Sequence, residues 1–211
     1  FLAKAMNGLP NLQKIKLKCW ECPDISDLGL SYIWKMMKNL ASLQDINLQF
    51  SFSLKITDAG LNDLNQTLMD CLIPLRKIKF DFYLCESITN AGMVHLCQFL
   101  KGYPDLKTLH VLFADCHKIN DDGVEGVIDF LGNQVSLKKV GVDFGFERVT
   151  EKSLKKIAQY FKSQSSLKKI TLGFDYMPKI AQDDLEEFQE EVQDLAKQRQ
   201  GGLKVKWVRE P

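Results

Sequence analysis

Leucines recur along this chain with a period of about 31 residues. The spacings are 31, 32, 31, 31 and 30 residues between Leu12, Leu43, Leu75, Leu106, Leu137 and Leu167. A period of this length is typical of repeat architectures, in which one unit is too small to bury its apolar face and stacks on its neighbours. The period therefore predicts a row of similar stacked units.

Each leucine opens a strand-like pattern. In the third unit Ile78, Phe80 and Phe82 alternate with Lys79 and Asp81, which is the period of two expected of a half-buried strand. Seven residues after the leucines stand Cys19, Phe50, Phe82, Phe113, Phe144 and Phe174. This row predicts a continuous aromatic spine under the ends of the strands.

The second half of each unit reads as a helix. Thr89 offers an N-cap hydroxyl, Met93 and Leu96 follow at helical spacing, and Gly102 and Pro104 end the pattern. By the same pattern we expect a first helix from about Asp27 to Asn39 and a last one from about Gln182 to Gln200. A small residue recurs in the first helical turn and predicts close approach to a neighbouring turn, at Gly29, Gly60, Gly92 and Gly123, with Ser153 in the fifth unit.

These units resemble leucine-rich repeats, and more narrowly the cysteine-containing, ribonuclease-inhibitor-like type. The resemblance lies in Cys85-x-x-Ile88-Thr89-Asn90-Ala91-Gly92-Met93 and in the matching segments from Cys22 to Leu30 and from Ile56 to Leu61. It implies an α/β fold: a right-handed solenoid, or horseshoe, with a parallel concave sheet, convex helices and a repeat of about 31 residues. The single helix and clear strand of each unit exclude tetratricopeptide and ankyrin repeats.

The repeats predict a single domain over residues 1–211. Residues 1–10 read as the tail of a preceding repeat, 11–180 as the repeats, and 181–211 as a C-terminal capping helix and strand. The interrupted unit at the start leads us to expect that upstream chain or another subunit covers the first strand.

Composition narrows the class of protein. Hydrophobic residues make up 45% of the chain and the net charge is +1, so charge alone points to no partner. No apolar run approaches the ~20 residues that span a bilayer, which predicts that no membrane is bound. The six cysteines fit a reducing compartment, because free cysteine packs as a small hydrophobe. We expect a cytoplasmic protein, in a cytoskeletal or ciliary assembly.

The sequence offers little chemistry. Cys19 and Cys22 form a C-x-x-C pair, but zinc would need two further ligands, and the repeat frame places one cysteine in the core row and the other in the turn. None of the three histidines has a recognisable nucleophile and acidic partner, and no glycine-rich phosphate loop occurs. We therefore predict a protein that is not an enzyme, with no catalytic residue, cofactor or metal.

Polar strand residues predict a partner-binding face. The candidate partner-binding residues are Lys14, Lys16, Lys18, Trp20, Lys77, Lys79, Tyr83 and His110. They form a basic, aromatic-edged patch suited to a protein with an acidic surface, while nucleic acid is the weaker interpretation. The alternative is that the lysines only keep the exposed strands soluble.

Three functions fit these observations. The first is a non-catalytic interaction or scaffold module of a larger protein or assembly, which binds its partner on the concave face. The second is the substrate-recognition part of an F-box-type ubiquitin ligase, whose repeats these resemble. The third is the regulatory repeat region of a protein with an upstream catalytic domain.

Overall fold

Strands and helices alternate along the whole described chain. The computed structural model describes residues 9–69, 71–143, 145, 147–174, 177–199 and 202–208. Within them the strands are β1 (Lys14–Lys18), β2 (Asp45–Gln49), β3 (Lys77–Asp81), β4 (Thr108–Leu112), β5 (Lys139–Asp143), β6 (Lys169–Gly173) and β7 (Lys204–Val208). The helices are α1 (Asp27–Met37), α2 (Asp58–Leu68), α3 (Asn90–Lys101), α4 (Asp121–Gly132), α5 (Glu151–Ser163) and α6 (Gln182–Gln198).

The strands form one parallel sheet in the order of the chain, from β1 to β7. Residues at equivalent positions of the repeat are direct neighbours, as where Ile46 pairs with Ile78 and Leu48 with Phe80. Each helix packs against the next helix. The chain is therefore an α/β solenoid whose units fit a leucine-rich-repeat pattern, as the period predicts. The ribonuclease-inhibitor-like subtype stays a prediction.

The core lies between the sheet and the helices. Ile78, Phe80 and Phe82 are fully buried, while the intervening Lys79 and Asp81 are half-buried, so the predicted strand register is confirmed. Phe82 stacks on the rings of Phe50 and Phe113, with centroid distances of 5.6 and 5.3 Å. This part of the predicted aromatic spine is continuous, whereas Phe144 lies outside the described residues.

Two of the predicted helices differ from those observed. The first ends at Met37 rather than Asn39, and the last ends at Gln198, while Gln200 lies outside the described residues. The prediction also missed Trp34, which is fully buried and whose indole Nε1 donates to the Gly60 carbonyl at 3.0 Å. Its neighbour Ile33 is only half-buried and packs against the edge of the core.

A ladder of hydrogen bonds joins the helix starts. Asp58 of one repeat accepts from the backbone N and the Oγ1 of Thr89 in the next, at 2.8 and 2.7 Å. The expected close approach is confirmed at Gly60, Gly92 and Gly123, as a Cβ added at Gly60 would lie 2.6 Å from Asp27 Oδ1, whereas at Gly29 the nearest described atom is 3.6 Å away. In the fifth unit Ser153 takes this place and its hydroxyl donates to Asp121 Oδ1 at 2.6 Å.

The last unit closes the described sheet with β7. Phe174 and Phe188 meet edge to face at 5.2 Å, and Trp207 lies within 6.2 Å of Phe188. Arg199 donates to the carbonyls of Phe161 and Gln164 at the end of α5, at 2.9 and 2.8 Å. Such contacts suit a terminal cap, and the division of the chain into tail, repeats and cap stays a prediction. Of the predicted tail, residues 1–10, residues 1–8 lie outside the described residues.

Candidate binding face of the sheet

The sheet has one face opposite the helices, which we call the open face. It consists of alternate strand residues, and the strand pairing sets them in three rows. The first row is Lys14, Asp45, Lys77, Thr108, Lys139, Lys169 and Lys204; the second is Lys16, Asn47, Lys79, His110, Gly141, Thr171 and Lys206; the third is Lys18, Gln49, Asp81, Leu112, Asp143 and Gly173.

A groove of about 550 Å³ crosses the open face. Its lining residues come from the middle and the ends of the strands and from the turns that follow them: Trp20, Phe52, Lys79, Asp81, Tyr83, His110, Leu112, Ala114, Asp143, Thr171 and Lys206. At one end Phe52 and Tyr83 meet edge to face, with centroids 5.2 Å apart, beside Trp20, whose exposed fraction is 63%. We call Trp20, Phe52 and Tyr83 the aromatic rim.

Hydrogen bonds fix the aromatic rim to the sheet. The Trp20 Nε1 donates to Ser51 Oγ at 3.0 Å, and the Ser51 hydroxyl donates to Asp81 Oδ1 at 2.9 Å. The same carboxylate oxygen accepts from the Tyr83 backbone N at 3.2 Å. Trp20 is thus exposed but anchored, so a partner that contacts it pays little additional side-chain entropy.

The turn that carries Phe52 has an unusual backbone. Phe52 has a φ of +64°, a left-handed conformation that is strained for a bulky residue. Glu21, Leu84 and Asp115, its equivalents in three other repeats, share this conformation with φ between 50° and 56°. The turn geometry therefore belongs to the repeat, and in the second unit it places a phenylalanine at the edge of the groove.

Two glycines leave space for side chains that line the groove. The ring of His110 lies over Gly141, where any added Cβ would overlap the ring, and the Asp143 carboxylate lies over Gly173 in the same way. Asp143 is 5% exposed and accepts from the Gly145 backbone N at 3.1 Å. Larger residues at 141 or 173 would fill the space that these two side chains occupy.

The lysines of the open face act on the histidine of the groove. The pKa of His110 is lowered to about 4, first by burial and then by Lys79, Lys169, Lys77 and Lys139. His110 is therefore neutral at pH 7 and acts as a hydrogen-bonding group rather than as a cation.

The basic residues of the open face extend beyond the predicted patch. Lys14 and Lys77 both pair with Asp45, at 3.4 and 3.2 Å, which offsets part of the charge expected in the N-terminal half. Elsewhere on the open face several lysines make no ion pair with any described residue, namely Lys16, Lys18, Lys79, Lys139, Lys169, Lys204 and Lys206. Three of these lie on β5, β6 and β7 at the start of the strands.

The groove brings together four of the predicted partner-binding residues and leaves four outside. Trp20, Lys79, Tyr83 and His110 line it, while Lys14, Lys16, Lys18 and Lys77 lie elsewhere on the open face. The prediction omitted Phe52, Asp81, Leu112, Ala114, Asp143, Thr171 and Lys206. Five of these omissions stand in strand positions of the open face, where the alternation could have found them: Asp81, Leu112, Asp143, Thr171 and Lys206.

The cysteines have structural surroundings. The thiols of Cys85 and Cys116 donate to the carbonyls of Phe50 and Phe82, both at 3.3 Å. Burial raises the pKa of Cys85 to about 12 and that of Cys116 well above its usual range, and burial beside Cys22 also raises the pKa of Cys19. A raised pKa leaves little thiolate, the form that attacks substrates and binds metals.

Two features of other protein classes do not occur in the described part of the chain. Residues 9–69, 71–143, 145, 147–174, 177–199 and 202–208 hold no cluster of three His, Cys, Asp or Glu side chains that could bind a metal ion. The helices among the same residues are too short or too polar to cross a membrane.

Of the comparisons with known proteins, the one with solved structures gives matches. No known family and no curated protein sequence matches the chain. Among solved structures 58 chains match. One of them, titled Leiomodin-1 Actin-Binding Site 2 (ABS2), is 12% identical, covers 94% of this chain and 90% of its own, and gives a TM-score of 0.48. A likeness this distant carries no argument about function.

Proposed function

We propose that this chain is a non-catalytic protein-binding module, a scaffold part of a larger assembly, which binds its partner on the open face of the sheet. The observation that carries the proposal is the aromatic rim at the groove, with Trp20 63% exposed and held by Ser51. Tryptophan, tyrosine and phenylalanine are enriched in protein interfaces, and tryptophan and tyrosine dominate their binding energy.

The lining of the groove supports binding rather than catalysis. It contains no serine or cysteine among the described residues, and its histidine is neutral and lies over a glycine. The carboxylates Asp81 and Asp143 each accept a backbone N–H, which suits a structural role.

Site-specific photo-crosslinking tests the proposal. A benzophenone amino acid placed at Leu112, in the groove, should capture a defined protein partner in cells. The same group at Val94, which is 49% exposed on α3, should not capture that partner. Equal capture at the two positions, or capture only at Val94, would contradict binding on the open face.

The identity of the captured protein also separates the alternative roles. A ubiquitin-ligase substrate would favour the substrate-recognition role, and a catalytic domain of the same protein would favour the regulatory role. The cytoplasmic, cytoskeletal or ciliary location stays a prediction.

A further inference from the structure

We infer that the partner presents an acidic segment next to an apolar anchor. Its carboxylates bind the lysines at the start of β5, β6 and β7, and its anchor enters the groove at the aromatic rim. This inference rests on the proposed function and names the chemistry of the partner.

The first support is a row of neighbouring cations. Lys139 pairs in register with Lys169, and Lys169 with Lys204, so their Cα atoms are separated by the strand spacing of about 4.8 Å. None of the three makes an ion pair with a described residue. Three like charges at this spacing repel one another, and a bound carboxylate would relieve that repulsion.

Lysines on the helix side of the molecule are arranged differently. Lys152 binds Glu125 at 2.7 Å, and Lys156 lies 3.4 Å from Glu125 and 2.9 Å from Asp129. Lys152 and Lys156 are thus neutralised by carboxylates of the chain itself. The row on β5–β7 has no such partner among the described residues, which is what a surface complementary to an acidic partner requires.

The second support is the change of chemistry along the strands. The first row is mainly lysine, while the third row contains Asp81, Leu112 and Asp143. The aromatic rim follows β1, β2 and β3, so at least two strand spacings of about 4.8 Å also separate it from β5. Four residue steps of about 3.3 Å separate the two rows, roughly 13 Å. The carboxylates of a segment that was acidic throughout would be repelled by Asp81 and Asp143. The part of the segment near these residues is therefore apolar, which also suits Leu112 and the aromatic rim.

The same gradient favours a protein segment over a nucleic acid. A nucleic acid carries phosphates at regular intervals, and a base stacked on Trp20 or Tyr83 would bring its phosphate close to Asp81. A peptide can separate its acidic residues from its apolar side chains by several residues.

Fluorescence anisotropy with defined peptides tests the inference. The probe is a fluorescein-labelled peptide of four glutamates followed by Gly-Leu-Phe, made in both sequence orders. One control replaces Leu-Phe by Ser-Ser, and another replaces the glutamates by lysines. The probe should bind at least about tenfold more tightly than either control, and its affinity should fall as salt is added.

Matched variants locate the binding. Lys139→Glu with Lys169→Glu should lower the affinity for the probe about tenfold or more, and Trp20→Ala should abolish the advantage over the Ser-Ser control. Lys35→Glu with Lys101→Glu, which changes the net charge equally at exposed positions of α1 and α3, should have little effect. A neutral double variant, Lys139→Gln with Lys169→Gln, controls for misfolding caused by the charge reversal. The melting temperature of every variant is measured as well.

Several outcomes would overturn the inference. These are equal binding of the acidic and basic peptides, equal loss in the two double variants, and binding of oligothymidylate of matched charge as tight as that of the probe. Peptides that fail to bind, while crosslinking at Leu112 captures a partner, would remove the acidic segment and leave the proposed function standing. If the peptide binds but crosslinking at Leu112 captures no partner, the proposed function is contradicted, while the affinity of the open face for an acidic segment stands.

Discussion

The carboxylate of Asp58 receives two hydrogen bonds from Thr89, which lies 31 residues later in the chain. Thr89 is the N-cap residue of α3, and its own Oγ1 accepts from the Ala91 backbone N at 3.1 Å. Asp58 is the first residue of α2, so the pair links the start of one helix to the start of the next. Asp27 with Thr57 and Asp121 with Thr150 repeat the arrangement.

Removing this carboxylate should weaken the solenoid. Asp58→Ala leaves the half-buried Thr89 N–H and hydroxyl without their acceptor, at a cost of about 1–3 kcal/mol in the free energy of unfolding. Asp58→Asn should cost less, because Asn90 Oδ1 accepts from the Asn120 backbone N at 3.1 Å at the same place in the next repeat. Urea denaturation measures both, with the exposed Asp105→Ala as the control. A loss for Asp105→Ala equal to that for Asp58→Ala would contradict the account.

Equivalent glycines should respond differently to alanine. A Cβ at Gly92 would overlap Asp58 Oδ1 and lie 2.9 Å from the Cγ2 of Ile88, whereas at Gly29 the nearest described atom is 3.6 Å away. Gly92→Ala should therefore destabilise the protein, while Gly29→Ala should stabilise it by up to about 1 kcal/mol through helix propensity. Gly92→Ser should cost less than Gly92→Ala, because Ser153 donates to Asp121 from this position. Thermal unfolding of the three variants checks the order, and a destabilised Gly29→Ala would refute it.

Much of this fold could be predicted from the sequence because its determinants are periodic. The register of Ile46 with Ile78 and the close approach at Gly60 follow from residues that recur in every unit. Trp34 was missed because the residue type at its position changes from unit to unit, although the equivalent residues Cys97, Ile128 and Ala158 are buried as well.

Phe82 should be more important for stability than Phe52. Phe82 is fully buried between two stacked rings, so Phe82→Ala should cost about 3–5 kcal/mol. Phe52 is half-buried at the groove, so Phe52→Ala should cost much less and instead weaken partner binding. Chemical denaturation compares the two; equal costs would place Phe52 in the core and remove it from the groove.

His110 should make the stability depend on pH. Its pKa is about 4 in the folded chain and 6.5 ordinarily, so between these values the unfolded chain binds a proton that the folded chain does not. Stability should therefore fall as the pH is lowered from 6.5 towards 4. The groups that face His110 are Lys77, Lys79, Lys139 and Lys169, with Asp81 and Asp143 elsewhere in the groove.

The variant that tests this is His110→Gln, which removes the titrating ring. Its free energy of unfolding should fall less than that of the wild type between pH 6.5 and 4.5, measured by urea denaturation at each pH. An identical fall in the two proteins would show that the folded His110 is protonated as readily as the unfolded one.

The binding face was less predictable than the fold. Alternation places Lys79 and His110 on it, but the pairing of Lys14 and Lys77 with Asp45 depends on side-chain positions across strands. Phe52 lies at the groove because its turn has a left-handed backbone conformation, and no residue pattern in the sequence predicts that conformation. Lys206 was missed because β7 belongs to an atypical last unit.

The central claim is that the partner binds at the aromatic rim of the open face. The most direct test is to purify the partner that crosslinking identifies and to measure its binding free energy by isothermal titration calorimetry. Trp20→Ala should weaken binding by at least about 2 kcal/mol. Tyr32→Ala, which removes an aromatic ring that is 58% exposed on α1, should change it by less than about 0.5 kcal/mol. With both variants melting as the wild type does, equal affinities for Trp20→Ala and the wild type would contradict the account.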